Sequence, residues 1–553
     1  MRRSLVFVPA AAVLACACAR KADLVITHGM LWTGVSDGAA QPGAVAIRGD
    51  RILAAGDSAE VARYVGAGTR VIDARGGLVM PGFVDGHTHF IDGSFSLASV
   101  DLRDAATPQE FVRRVAGFAR RLQPGTWITG GEWDHTRWPG QQLPRHEWID
   151  SVTPDNPVAI ERLDGHEIVA NAAAIRLAGV TKATPTPFGG EILRDARTGE
   201  PTGVFKDAAM DLIFRAVPAP TAEQRDSALA RGMMHAESLG VTGTGSMSAS
   251  FADLQSFRRM ERAGRLTLRA VLYILDDWRG TADTVRAGGP GDAWVRIGGL
   301  KRFMDGSAGS RTALMSEPYA DSAGYRGLSA HQPAEMARWI GAADSAGLQL
   351  AIHSIGDSAN ALLLGMFDSV ARAHGPRDRR FRMEHAQHLR TEDARRFGAI
   401  GVIASMQPYH AIDDGRWLEQ RLGAARMHDS YLFRSLLESR AILAFGSDWP
   451  VAPLDPILGV YAAVTRRTLD GRNPDGWVPE QKITVAQALR AYTWANAYAV
   501  FAENERGTLA PGMLADVDVL DHDLFTMPAE SLATARVMVT IVGGKVVFER
   551  RPR

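Results

Sequence analysis

The chain has 553 residues, in which 62 Lys and Arg are balanced by 62 Asp and Glu, with 46% hydrophobic and 22% charged residues. A formal charge of zero leaves no basic footprint for nucleic acid, and the apolar fraction excludes a disordered chain. At roughly 100–200 residues per domain the length predicts one large unit with an accessory, because α/β barrels run beyond ~250 residues as a single domain.

Arg2 and Arg3 lead an apolar run from Leu5 to Ala19. The run is shorter than the roughly 20 residues of a spanning helix and has the pattern of a secretory signal, so export is expected. Both cysteines, Cys16 and Cys18, lie inside it; the folded part therefore has no thiol or disulfide, and thiol catalysis is excluded. Residues 13–16 (VLAC) resemble a bacterial lipobox, which predicts a lipid-anchored or periplasmic lipoprotein starting at Cys16. Ordinary cleavage after Ala17 or Ala19, giving a secreted protein, and an uncleaved anchor are the alternatives. No later apolar run is long enough to span a bilayer.

From Ala22 to Val79, short β-rich runs over 23–27, 44–48, 51–55 and 70–73 alternate with Gly and Asp turns. A second β-rich stretch closes the chain, over 515–520, 537–542 and 546–548, with Gly543-Gly544 as a hairpin turn. Two β-rich ends around a long middle predict one domain assembled from both termini. The middle, residues 81–504, alternates apolar strand-like runs (271–275, 295–303, 348–353, 381–384, 401–406, 441–445) with amphipathic stretches (108–122, 222–239, 333–346, 358–373, 485–497). Such repeats imply a parallel sheet with helices outside it, and a closed barrel would carry its chemistry at the C-terminal ends of its strands. Residues from about 90 to 221 fit the alternation poorly and are rich in Trp, Pro and Gly. They read as an insertion over the barrel mouth.

Residues 81–89 (PGFVDGHTH) form an apolar run ending in His87 and His89. Positions i and i+2 of a strand face one side, so both imidazoles can address one metal ion. His353 ends the run 349–352, His385 follows 381–384, and Asp448 follows 442–447. Four strand-like runs thus end in groups that bind divalent metals, and a barrel would bring them together. Imidazole and carboxylate suit zinc, and equally manganese or iron. Lys301, in the run 298–306, is a poor neighbour for cations as an ammonium; pairing with Asp305 or another acid is its plain structural reading.

Taken in order, the segments PGFVDGHTH (81–89), RLDGHEIVAN (162–171), KRFMDGSAGSRTA (301–313), HSIGD (353–357), RMEHAQH (382–388), GSDWPV (446–451) and GTLAPGMLADVDVL (507–520) resemble the amidohydrolase superfamily. Within it they resemble the YtcJ-like amidohydrolase family 3, which includes an N-substituted formamide deformylase. The resemblance covers nearly the whole chain after the signal. It implies a distorted TIM (β/α)8 barrel with a small β-sandwich formed by residues 22–80 and 505–550. It also implies one or two divalent metals, with His87, His89 and Asp448 at one and His353 and His385 at the other. Lys301 matches the lysine that binuclear members carboxylate to bridge two metals, which turns an ammonium into an anion; members with one metal leave that role open.

The implied reaction is hydrolysis of a C–N bond in an amide, formamide or cyclic amide of a small-molecule substrate by a metal-bound hydroxide, with Asp448 as ligand and proton carrier. His166 matches a substrate-side residue, with donation to the reacting oxygen as one role. Asp305 and Arg311, like Glu384, read either as substrate contacts or as supports that orient ligands. Trp133, Trp138 and Trp148 read as an aromatic wall for substrate or as self-packing of the insertion. His388 and His410 lie near ligand segments without an assigned role. Ester or lactone hydrolysis on the same centre and an exported non-catalytic binding protein are the competing functions. The oligomeric state is open, with a homodimer as the common default.

Overall fold

A computed structural model describes residues 21–551 of the chain. The signal-like segment with Cys16 and Cys18 lies outside the described residues.

The eight barrel strands are β1 (Phe83–Thr88), β2 (Val241–Ala249), β3 (Arg269–Leu275), β4 (Val295–Phe303), β5 (Gln349–Ser354), β6 (Arg382–His385), β7 (Ile403–Met406) and β8 (Leu443–Phe445). They pair in parallel, each with its sequence neighbour, from β1 through to β8. The ring is nearly closed. Its seam is held just beyond β8, where the Asp448 N–H donates to the His87 carbonyl at 2.7 Å and the His89 N–H to the Trp449 carbonyl at 2.7 Å. Gly446 makes this approach feasible, because a Cβ there would stand 2.5 Å from the His87 nitrogen. Burial of the Val, Ile and Leu of these strands against the surrounding helices supplies the main core.

Asn496 bolts the seam from below, donating to the carbonyls of Val84 (2.6 Å) and Phe445 (2.8 Å). Here the expected single helix over 485–497 is broken in two, Val485–Tyr492 and Trp494–Ala499. Thr493 is non-helical (φ −126°, ψ −91°), and its hydroxyl donates to the Leu489 carbonyl at 2.8 Å. The second piece is thereby re-aimed so that Asn496 reaches the strand ends, a long-range gain that local periodicity does not encode.

Both chain ends build one mixed sheet, in the order 545–549, 537–542, 517–520, 78–81, 24–31, 41–48 and 51–56, with 70–73 also on 24–31. Its hydrophobic cluster joins Val45, Ile47 and Val79 from one end with Val517, Val519 and Ile541 from the other. Gly543 and Gly544 have φ of +55° and +73°, the left-handed pair that a two-residue hairpin needs.

Residues 128–207 form a separate five-stranded sheet, in the order 190–194, 201–207, 167–170, 158–162 and 128–133. Trp133 and Trp138 are buried in this unit's own core with Phe111 and Ile160, and Trp148 packs partly buried beside them. Self-packing, not a substrate wall, is what these tryptophans do.

Candidate metal centre

The C-terminal ends of β1, β4, β5, β6 and β8 converge on one polar mouth. His87 is the penultimate residue of β1 and is fully buried, and His89 follows the strand as the residue that opens helix Phe90–Ser96. His353 lies in β5, His385 ends β6, and Asp448 follows β8. Imidazole rings run round the mouth in the order His89, His87, His385, His353 and His166, with successive centroids 5.7, 4.7, 4.5 and 4.9 Å apart. Ligand atoms of His87, His385 and Asp448 lie within 4.8 Å of one another. Both His87 Nε2 and His89 Nε2 stand 3.3 Å from Asp448 Oδ1. His353 joins this group through the ring of His385.

Three of the rings are oriented through their other nitrogen. His87 Nδ1–H donates to Glu384 Oε2 at 2.6 Å, His385 Nδ1–H to Gln407 Oε1 at 2.9 Å, and His353 Nε2–H to the Gly306 carbonyl at 3.1 Å. Each bond engages one ring nitrogen and leaves the other available, the arrangement that metal-binding histidines adopt. Burial, reinforced by neighbouring imidazoles, keeps His353 and His385 far below the usual imidazole range and so neutral. Burial opposes ionisation of Asp448, but His87 and then His89 outweigh it and hold the carboxyl well below its ordinary value. Glu384 follows the same logic, with Arg382 and then His87 overcoming burial.

Among the described residues, His87 Nε2 and Asp448 Oδ1 are buried and have no hydrogen-bond partner, despite their 3.3 Å separation. Two ligand atoms on a tetrahedral ion with bonds of about 2.0–2.1 Å lie roughly 3.3 Å apart. These residues therefore fit a divalent cation in both chemistry and spacing. The backbone adds to this reading, since His385 and Asp448 have φ of +76° and +63°. Non-glycine residues held there cost about 1–3 kcal/mol each, a strain that concentrates at functional sites.

Lys301 projects from β4 into the same interior and is fully buried. Among the described residues its Nζ has no hydrogen-bond partner, so the pairing with Asp305 or another acid is not made, and it stands 4.6 Å from the Phe303 ring centroid. Burial lowers its pKa to about 8, against the upward pull of Glu384 and Asp448.

The remaining residues singled out from sequence divide. His166 lines the cleft and pairs through Nδ1 with Asp207 Oδ1 at 2.6 Å; burial lowers its pKa, but the Asp207 carboxylate more than offsets this. Asp305 accepts the backbone N–H of Leu314, Ile355 and Gly356 at 2.8–3.0 Å and so pins the turn after His353. Arg311 forks onto Asp321 (3.1 and 2.8 Å) and does not line the cleft. His388 bonds Ser430 Oγ at 3.1 Å, whereas His410 lines the cleft with Nε2 4.0 Å from Asp448 Oδ2.

The cleft itself holds about 520 Å³ with its open mouth included. Sequence reasoning missed much of its wall. Arg162 is buried between Asp164 and Asp134, and Asp164 accepts from Ser307 Oγ (2.5 Å) and Ser310 Oγ (2.9 Å). The only sequence signal for Arg162 and Asp164 is their place two residues apart in the His166 segment.

A model of the amidohydrolase family matches residues 70–548. The chain belongs to the amidohydrolase family. It is 38% identical over 541 residues to protein LONG AFTER FAR-RED 3 of Arabidopsis thaliana, covering 95% of this chain and 92% of that protein. It is 29% identical over 523 residues to N-substituted formamide deformylase of Arthrobacter pascens, covering 92% and 95%. Among solved structures, an uncharacterized metal-dependent hydrolase from Pyrococcus horikoshii OT3 is 28% identical with a TM-score of 0.73, covering 92% of this chain and 99% of that one.

Proposed function

We propose that this protein is a metal-dependent amidohydrolase that cleaves the C–N bond of an amide, formamide or cyclic amide. One observation carries the reading: His87 Nε2 and Asp448 Oδ1 face each other, buried and unbonded, at the spacing of two ligands on one cation. His87, His89 and Asp448 would hold one ion, and His353 and His385 would contribute on the far side of the mouth. Zinc suits this donor set, as do manganese and iron. A divalent cation bound there lowers the pKa of water from 15.7 to about 7 and so supplies a nucleophile at neutral pH.

The chain's own groups supply the proton traffic. Asp448 is ionised, sits among the imidazoles and borders the cleft, so it takes the proton of the attacking water and returns it to the leaving nitrogen. Without that return an amine anion would have to leave. His166, whose pKa the Asp207 carboxylate raises, donates to the substrate oxygen as charge develops there. Lys301 takes up carbon dioxide: its amine nitrogen attacks the carbon, loses a proton, and becomes an anionic carbamate between the two sets of ligands. Family resemblance and the unpartnered Nζ support that step. Export with a lipid on Cys16 belongs to the same proposal and rests on the N-terminal sequence.

The test is a screen of N-acyl and N-formyl compounds against matched esters with metal restored. Amide turnover is expected, and Asp448→Asn lowers kcat by 10²-fold or more, the range of a lost general acid–base, while much of the metal stays bound. Turnover of esters alone would replace the C–N assignment, and near-parent turnover by metal-loaded Asp448→Asn would remove the proton role.

A further inference from the structure

A second polar pocket lies at the opposite end of the barrel, where β3 and β4 begin and the chain returns to the terminal sheet. It is lined by Ala270, Val271, Arg296, Arg506, Asp292 and Glu505, among others, and spans about 250 Å³ with its opening. Arg506 is only 6% exposed. Among the described residues its guanidinium makes no hydrogen bond or ion pair, and its Nε is sealed from solvent without an acceptor. A guanidinium carries five N–H donors, and buried charges in proteins are paired because isolation from water costs several kcal/mol.

The neighbours deepen that deficit. Arg269 is spent on Asp516, in a fork of 2.7 and 3.0 Å, and on the Ala293 carbonyl. Asp516 is in turn hydrogen-bonded by Arg269 and the Gly543 N–H, so it acts on Arg506 through its charge without a hydrogen bond. Asp292 turns one oxygen to the N–H groups of Trp294 and Val295, and Glu505 is exposed at the rim. Arg296 gives one N–H to the Val500 carbonyl at 3.1 Å and keeps a buried, partnerless Nε. Two under-satisfied guanidiniums therefore face one small pocket. We propose that it is a binding site for a small oxyanion, of the size of sulfate or phosphate, held by Arg506 and Arg296. Such an ion ties residues 502–506 to the starts of β3 and β4, remote from the metal mouth.

Sulfate is the probe, replacing gluconate at constant ionic strength, with thermal unfolding of the full metal-loaded chain as readout. Saturating sulfate is expected to raise the parent midpoint by about 1–2 °C through linkage. Arg506→Met loses the shift, Arg296→Met reduces it, and Asp448→Asn, altered at the other end of the barrel, keeps it. Replacing an unpaired buried charge by an apolar chain of similar length should leave a folded protein; if Arg506→Met fails to fold, Arg296→Met and the anomalous signal of bromide-soaked crystals decide. No shift in the parent means that water alone fills the pocket and overturns the proposal. A shift equal in the parent and the arginine variants, one abolished by Asp448→Asn, or the lack of a bromide peak beside Arg506 overturns it as well.

Discussion

Glu384 shows how much of this site is decided by residues that touch no substrate. Its carboxylate receives Arg382 from one side (2.7 Å) and His87 Nδ1–H from the other (2.6 Å), in complete burial. The second bond fixes which nitrogen of His87 faces Asp448. Glu384→Gln keeps the shape but removes the charge that holds this tautomer, so divalent-metal affinity should fall about 10–100-fold, the usual effect of losing a partner behind a metal ligand. Competition with a chelating dye measures it, and unchanged affinity would show that His87 needs no such orientation. Lys301 makes a second residue-scale prediction. The intact protein should carry the added mass of carbon dioxide on this side chain when prepared with bicarbonate and metal, and Lys301→Met should lose it together with metal from the His353–His385 side. An unmodified, fully active lysine would leave the centre without a bridging anion.

At the scale of elements, the insertion carries a buried acid that makes its stability depend on pH. Glu167 begins the strand Glu167–Ala170, is 1% exposed, and has an oxygen without a partner. Burial raises its pKa from 4.5 to about 7, with Lys206 and Arg162 only partly offsetting this. Because the folded value lies above the unfolded one, the contribution is fully present below pH 4.5 and is lost as pH rises through 7. Glu167→Gln should match the parent near pH 4 and exceed it above pH 7 by at most roughly 3 kcal/mol, read from denaturant midpoints across that range; parallel pH profiles would mean that Glu167 ionises freely. The same comparison shows what could be read from the chain. The convergence of His87, His353, His385 and Asp448 was legible because each follows its own apolar run, and a parallel barrel has one C-terminal face. Asn496, Gln407 and Asp207 were not, because an amide or acid whose partner lies 22 to 412 residues away leaves no local period. The break at Thr493 escaped for the same reason: the pattern continues through it, and only the contact of Asn496 with Val84 and Phe445 explains it.

Across the whole molecule, chemistry and cohesion occupy opposite ends of the barrel. The candidate metal ligands stand at the C-terminal ends of the strands, whereas the terminal sheet is fastened near their starts, where Arg269 of β3 meets Asp516 of the returning chain in a two-pronged pair. Arg269 and Asp516 are 2% and 9% exposed in their side chains, so the pair is shielded from water. The Asp516 carboxylate also receives the Gly543 N–H at 2.9 Å, which anchors the last hairpin. Removing one partner of a buried pair strands the other charge, at a cost of about 3–5 kcal/mol. Asp516→Ala should therefore lower global stability by that amount, seen as an earlier denaturant midpoint, while metal content per folded molecule stays at the parent value. Loss of metal at parent stability would contradict this division, for it would mean that the two ends communicate through the barrel strands and that the sheet shapes the mouth as well as holding the chain together.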